Sequence, residues 1–270
     1  MTVAGTFFAE NGTIRPADRF KIPSGSFIQV YEVLRVINGK ILFRKEHYER
    51  FSSSIRLAGL QYSLSPDSFF SQLYELIKVN TASLGNIRID LTLENGKTDL
   101  LFYFIPHHYP SPDDYRMGVK ADLLYAMREN PQAKVVQQRL RDRTNKMIRE
   151  KHLYEVLLVD HGGYITEGSR SNVFFIKDGC LCTPPVSCML PGITRMKVLE
   201  CMSREGLKCV EKTIPEQEIS VYDAAFLTGT SLNVLPLSQI GKISFHVNDP
   251  VLRKIQSAFD RFIDGYLEQQ

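Results

Sequence analysis

Gly163-Tyr164-Ile165-Thr166-Glu167-Gly168-Ser169-Arg170-Ser171-Asn172-Val173-Phe174 runs between two turn signals, His161-Gly162-Gly163 and Asp178-Gly179. Extended runs flank it at residues 154–160 and 172–176, so the stretch reads as consecutive strands closed by turn glycines. Working outward, residues 119–126 and 224–227 are further strand candidates. Helices are expected over about 140–152, after Pro191-Gly192, and from Pro250 onward, where Val251, Leu252, Ile255, Phe259, Phe262 and Ile263 form one apolar stripe. The second half of the chain is therefore mixed α and β.

The first hundred residues follow the same logic with different elements. Residues 28–37 form an extended, β-branched run closed by Asn38-Gly39, a favoured two-residue hairpin turn, before Ile41-Leu42-Phe43 returns. Tyr48, Phe51, Ile55 and Ala58 then recur at helical spacing. Ser65-Pro66-Asp67 supplies a cap and a first-turn proline for a second helix that buries Phe69, Phe70, Leu73, Leu76 and Ile77. A second hairpin, 86–93 with 100–105, closes on Asn95-Gly96. The proline-rich stretch from Pro106 to Asp114 reads as a linker, which divides the chain into a domain at 1–108, a linker at 109–117 and a domain at 118–270.

Composition narrows the function. Of 270 residues, 43% are hydrophobic and 23% charged, which is ordinary globular usage, and the net charge of +3 carries no basic block of the kind that nucleic acid or an anionic membrane requires. The longest apolar run, Leu100 to Ile105, is far short of the ~20 residues of a membrane-spanning helix. No secretory pattern opens the sequence, so a cytoplasmic location is expected. Cys180, Cys182, Cys188, Cys201 and Cys209 are odd in number and form no CxxC pair, which points to reduced, structural thiols and no metal site.

Phosphate-loop, dinucleotide, zincin and nucleophile-elbow motifs are all missing. Two segments are built to hold an anion through backbone amides. Leu190-Pro191-Gly192-Ile193-Thr194-Arg195 opens a helix, and Thr228-Gly229-Thr230-Ser231 ends a strand in small, hydroxyl-bearing residues. Each alone is equally readable as an ordinary cap or turn.

Taken in order, residues 163–174, Thr183-Pro184-Pro185, residues 190–195 and Phe226-Leu227-Thr228-Gly229-Thr230 resemble the successive signatures of the class IV aminotransferases. Tyr31-Glu32-Val33-Leu34-Arg35 and Glu46-His47-Tyr48-Glu49-Arg50-Phe51 extend the resemblance over most of the chain. It implies a two-domain, fold type IV enzyme of mixed α/β class. A small αβ N-terminal domain and a larger α/β C-terminal domain would hold pyridoxal 5′-phosphate between them.

The resemblance also implies roles. Glu167 would stand beside the pyridine nitrogen and keep it protonated, so that the ring is an electron sink. Ile193, Thr194, Thr230 and Arg50 would hold the phosphate. Local composition does not separate Lys134 from Lys120, Lys146 or Lys151 as the Schiff-base lysine. In the family this lysine lies about 33 residues before the glutamate, which is the separation of Lys134 from Glu167. Arg88 resembles a substrate-carboxylate arginine of branched-chain relatives, and reads equally well as an exposed strand residue. Where relatives carry asparagine and tyrosine after the lysine, this chain has Gln137-Gln138-Arg139. The implied reaction moves an amino group from an amino acid, branched-chain among the candidates, to a 2-oxo acid within a homodimer. The alternatives are an aminodeoxychorismate lyase releasing pyruvate and 4-aminobenzoate, and a non-catalytic protein that binds the same cofactor.

Overall fold

The computed structural model describes residues 3–21 and 27–270 and divides into two compact units. The first comprises residues 1–108 together with two later pieces of chain, 133–136 and 266–270. Among its described residues a six-stranded antiparallel sheet is ordered β2-β1-β6-β5-β3-β4, from β1 (Phe7–Glu10), β2 (Thr13–Pro16), β3 (Ile28–Ile37), β4 (Lys40–Ile41), β5 (Leu84–Glu94) and β6 (Lys97–Ile105). Helices α1 (Arg44–Leu57) and α2 (Pro66–Val79) cover one face.

Local chemistry accounts for these boundaries. Asn38 and Gly39 both take positive φ (52° and 72°), as do Asn95 and Gly96 (50° and 76°), the conformation that two-residue hairpins require. Ser65 caps α2, its hydroxyl accepting the Ser68 N–H at 3.2 Å with Pro66 in the first turn. The return after Asn38-Gly39 is shorter than expected: β4 stops at Ile41, and Phe43 turns into α1 at φ 51°. The long partner of β3 is instead β5, in register from Ile28↔Leu93 to Ile37↔Leu84. The expected linker also holds structure, because Ser111 and Asp114 form a capping box on α3 (Pro112–Met117).

The second unit, residues 109–132 and 137–265, is built on a ten-stranded mixed sheet. Its main path runs β12-β11-β10-β14-β15-β7-β8-β9-β13, with β7 (Val119–Tyr125), β8 (Glu155–Val159), β9 (Tyr164–Gly168), β10 (Asn172–Lys177), β11 (Cys180–Thr183), β12 (Cys209–Glu211), β13 (Ile214–Pro215), β14 (Ala224–Gly229) and β15 (Asn233–Ile240). The short β16 (Ile243–Ser244) pairs with β15. Helices α4 (Gln138–Lys151), α5 (Ile193–Arg204) and α6 (Pro250–Glu268) lie close to their expected positions. Leu252, Ile255 and Phe259 of the α6 stripe are fully buried. The five cysteines are free thiols, and among the described residues no helix is long and apolar enough to cross a membrane.

The core of the first unit centres on Phe69 of α2, fully buried, with ring centroids of Tyr48, Phe51, Phe70 and Phe102 at 5.2–6.0 Å. Phe69→Ala is expected to lower unfolding stability by about 3–5 kcal/mol, the cost of a large buried cavity, as measured by urea denaturation. A loss below about 1 kcal/mol would contradict this packing.

Candidate active site

In the first unit, Lys134 is held by its backbone. Its carbonyl accepts the Tyr31 N–H at 2.9 Å, its own N–H donates to Ser54 Oγ at 3.1 Å, and the Val136 N–H donates to the Gln29 carbonyl at 2.9 Å. The segment meets β3 in a single bridge, Val135 to Val30. Ala133 is buried and Val135 packs on the core, so alternation turns the Lys134 side chain the other way. Its amine lies 4.8 Å from the centroid of the Tyr31 ring. The competing lysines are solvated: Lys120 is exposed, the Lys146 side chain is 70% exposed, and Lys151 pairs with Asp122 at the surface.

Arg50 does not lie on an exposed face of α1. Its side chain is 10% exposed, with Nε 2.9 Å from Glu32 Oε2 and Nη2 2.6 Å from Glu32 Oε1. Glu32 is fully buried on β3, and His47 Nδ1 lies 3.3 Å from Oε1. Burial alone would raise the Glu32 pKa, but Arg50 and His47 outweigh it and hold the carboxyl well below the usual range. Burial lowers the His47 pKa against the pull of Glu32, and the Lys134 charge nearby acts in the same direction as burial. Arg88, on β5, is paired with Asp90 and stacked 4.5 Å from the centroid of the Tyr31 ring, so it too is no exposed strand residue.

In the second unit, Glu167 lies near the end of β9, just after an irregularity. The register with β8 shifts between Leu158↔Glu167 and Val159↔Ile165, leaving Thr166 as an extra residue. A period of two would send Ile165 and Glu167 to the same face. The bulge lets Ile165 enter the core while Glu167 meets Arg128. Arg128 Nε donates to Glu167 Oε1 at 2.7 Å, and Nη2 to the Ser169 carbonyl at 2.9 Å.

The turn after Glu167 is latched by a buried carboxylate. Glu155 accepts the hydroxyls of Ser169 at 2.6 Å and Ser171 at 2.7 Å, together with the backbone N–H groups of Val156 and Arg170. Asn172 then reaches the segment before α5, donating to the Leu190 carbonyl at 3.0 Å. A Cβ at Gly192 would strike the Asn172 amide, which is why glycine stands there.

Helix α5 begins at Ile193 and Thr194 without a side-chain cap, so its first N–H groups remain available to an anion. Thr228 of β14 pairs with Asn172 in the sheet, and its hydroxyl is buried with no hydrogen-bond partner among the described residues. Thr230 follows in the turn beyond β14, half-buried. An uncapped helix start and an orphaned buried hydroxyl, linked through Asn172, fit a phosphate group. Arg128, Glu155, Asn172 and the Glu32–His47 pair escaped sequence reasoning. Asn172, Glu32 and His47 lie within the motif segments, but their roles, like those of Arg128 and Glu155, depend on partners elsewhere in the chain.

The amino-transferase class IV family model matches residues 29–240. A D-alanine aminotransferase of Bacillus licheniformis is 30% identical over 255 residues, 87% of each chain. A branched-chain-amino-acid aminotransferase of Pseudomonas aeruginosa is 40% identical over 116 residues, and that match spans 42% of this chain and 38% of the Pseudomonas protein. The crystal structure of Escherichia coli branched-chain amino acid aminotransferase shares the fold with a TM-score of 0.87 at 22% identity, covering 96% of this chain and 95% of that one.

The buried ion pair has a measurable signature. Because the folded Glu32 pKa is depressed, its contribution is complete above the unfolded value near ~4.3 and is lost as pH falls below it. Glu32→Gln is expected to cost about 3–5 kcal/mol at pH 7, with the gap narrowing toward about pH 3. Urea denaturation at both pH values measures it, and an equal gap at both contradicts the ion-pair account.

The matched segment spans residues 190–195 and 228–231, the Glu167 turn and Lys134, and with the likeness to the Bacillus enzyme over 87% of each chain it places the chain in the class IV aminotransferase family, whose enzymes carry pyridoxal 5′-phosphate.

Proposed function

We propose that this enzyme transfers the amino group of a small amino acid to a 2-oxo acid with Lys134 as its reacting amine. The observation that carries the reading is the backbone clamp on residues 133–136, which fixes the amine over Tyr31. When bound, the cofactor supplies the electron sink that stabilises negative charge at the substrate α-carbon. Lys134 would hold the cofactor through its carbonyl carbon, and its amine, when free, would carry the substrate α-proton away and return it. Glu167, its own charge balanced by Arg128, would keep a proton on the ring nitrogen. Ile193 and Thr194 would offer N–H groups to the phosphate, Thr230 a hydroxyl and Arg50, oriented by its pair with Glu32, a guanidinium contact. Arg88 is the candidate substrate contact. A branched-chain or D-amino acid donor is supported by the likeness to the Pseudomonas and Bacillus enzymes. The same reading includes a homodimer in the cytosol, for which light scattering should give twice the chain mass of 30.8 kDa.

Lys134→Ala is expected to abolish both the visible absorbance of the bound cofactor and amino transfer, while Glu167→Gln keeps the cofactor and loses 10²–10⁴-fold in kcat, roughly the worth of a positioned proton-handling group. Retention of transfer by Lys134→Ala removes Lys134 from its role. For substrate class, the enzyme is offered leucine or D-alanine with pyruvate or 2-oxoglutarate, and separately aminodeoxychorismate. Oxo-acid formation that requires an acceptor supports the aminotransferase, and acceptor-free pyruvate release identifies a lyase.

A further inference from the structure

The face of the first sheet opposite α1 and α2 carries a buried polar network centred on Asp90. Arg88 and Asp90 sit two residues apart on β5 and therefore share that face. In the ladders, Tyr31 stands opposite Asp90 and Tyr103 opposite Arg88. Arg88 Nε donates to both Asp90 oxygens, at 2.8 and 3.0 Å, and Nη2 adds a contact to Oδ1 at 2.8 Å. The Tyr103 hydroxyl donates to Asp90 Oδ2 at 2.6 Å. Arg88 Nη2 also reaches Gln29 Oε1 at 3.3 Å, and Gln29 in turn donates to Thr92. The side chains of Arg88 and Asp90 are 13% and 2% exposed.

The guanidinium rests on the Tyr31 ring, against which the Lys134 amine also lies. An arginine that shares the Tyr31 ring with the Lys134 amine is, by its chemistry, a receptor for carboxylates. Here its charge is already matched by a buried, multiply hydrogen-bonded partner. The Arg88–Asp90 pair offers no surplus positive charge, so an anionic substrate side chain brought against it would be desolvated without compensation from Arg88.

We propose that Asp90 determines substrate specificity: by closing an ion pair on Arg88 beside Lys134, it favours amino and oxo acids with uncharged side chains over dicarboxylic ones. The proposal rests on Lys134 being the reacting amine. Asp90 acts through Arg88 and is a positioning residue.

Asp90→Asn preserves shape and an acceptor for Tyr103 while removing the charge. In cofactor-loaded wild-type enzyme, pyruvate should outrun 2-oxoglutarate as acceptor. In Asp90→Asn the ratio of kcat/KM for 2-oxoglutarate over pyruvate should rise at least fivefold, mainly through a lower KM for the dicarboxylate. Calorimetric titration of the same proteins with glutarate and with butyrate should show the same preference in binding, independently of turnover. Arg88→Met/Asp90→Leu, which removes both charges and guards against an Asp90→Asn protein that does not fold, should return both ratios to within fivefold of wild type. A ratio in Asp90→Asn that moves less than fivefold, or toward pyruvate, overturns the proposal, as does a double variant that selects dicarboxylates. A wild-type protein that transfers no amino group speaks against the activity reading alone, since the glutarate and butyrate titrations still decide the role of Asp90.

Discussion

Four residues of the first unit are pinned to a strand far from them in sequence. Residues 133–136 lie far downstream of β3 in sequence, yet hydrogen bonds join Lys134 to Tyr31 and Val136 to Gln29, and Ser54 of α1 holds the Lys134 N–H. An isolated bridge of this kind gains little from the ladder itself. Its strength comes from Ala133 and Val135, whose burial sets which way Lys134 points. Tyr31 is thereby committed to two cations, and β3 also supplies Glu32 from its other face to hold Arg50. One strand thus organises charge on both faces of the sheet.

The second unit solves a different problem, that of presenting a carboxylate and an uncapped helix start from one sheet. The extra residue at Thr166 releases Glu167 from the core face, and Glu155 ties down the small-residue turn that follows. A buried carboxylate is costly unless its oxygens are satisfied, and here two hydroxyls and two backbone N–H groups satisfy them. Asn172 carries the same rigidity to Leu190 and Gly192, so the start of α5 is set by contacts from a neighbouring strand.

What was legible in the sequence was local. The Asn-Gly turns, the Ser65 cap and the apolar stripes of α2 and α6 placed those elements because propensity, turn chemistry and burial agree there. Reading Pro106 to Asp114 as linker missed a capped helix, since a capping box and a polar loop share the same residues. The short return after Gly39 was hidden because Leu42 and Phe43 continue the apolar pattern while the backbone turns at Phe43. The ion pairs Arg128–Glu167 and Arg88–Asp90, the Glu155 latch and the attachment of residues 133–136 to β3 depend on how strands and loops meet in space. Family motifs named the residues that stand in these places; only geometry named the partners that hold them.

Borohydride reduction of the cofactor-loaded protein, followed by peptide mass spectrometry, tests the central claim most directly, because it marks covalently whichever amine is joined to the cofactor. The account predicts a phosphopyridoxyl group on the peptide containing Lys134 and on no other. A label on Lys120, Lys146 or Lys151, or an unlabelled protein that nonetheless retains the cofactor and turns over, would contradict it.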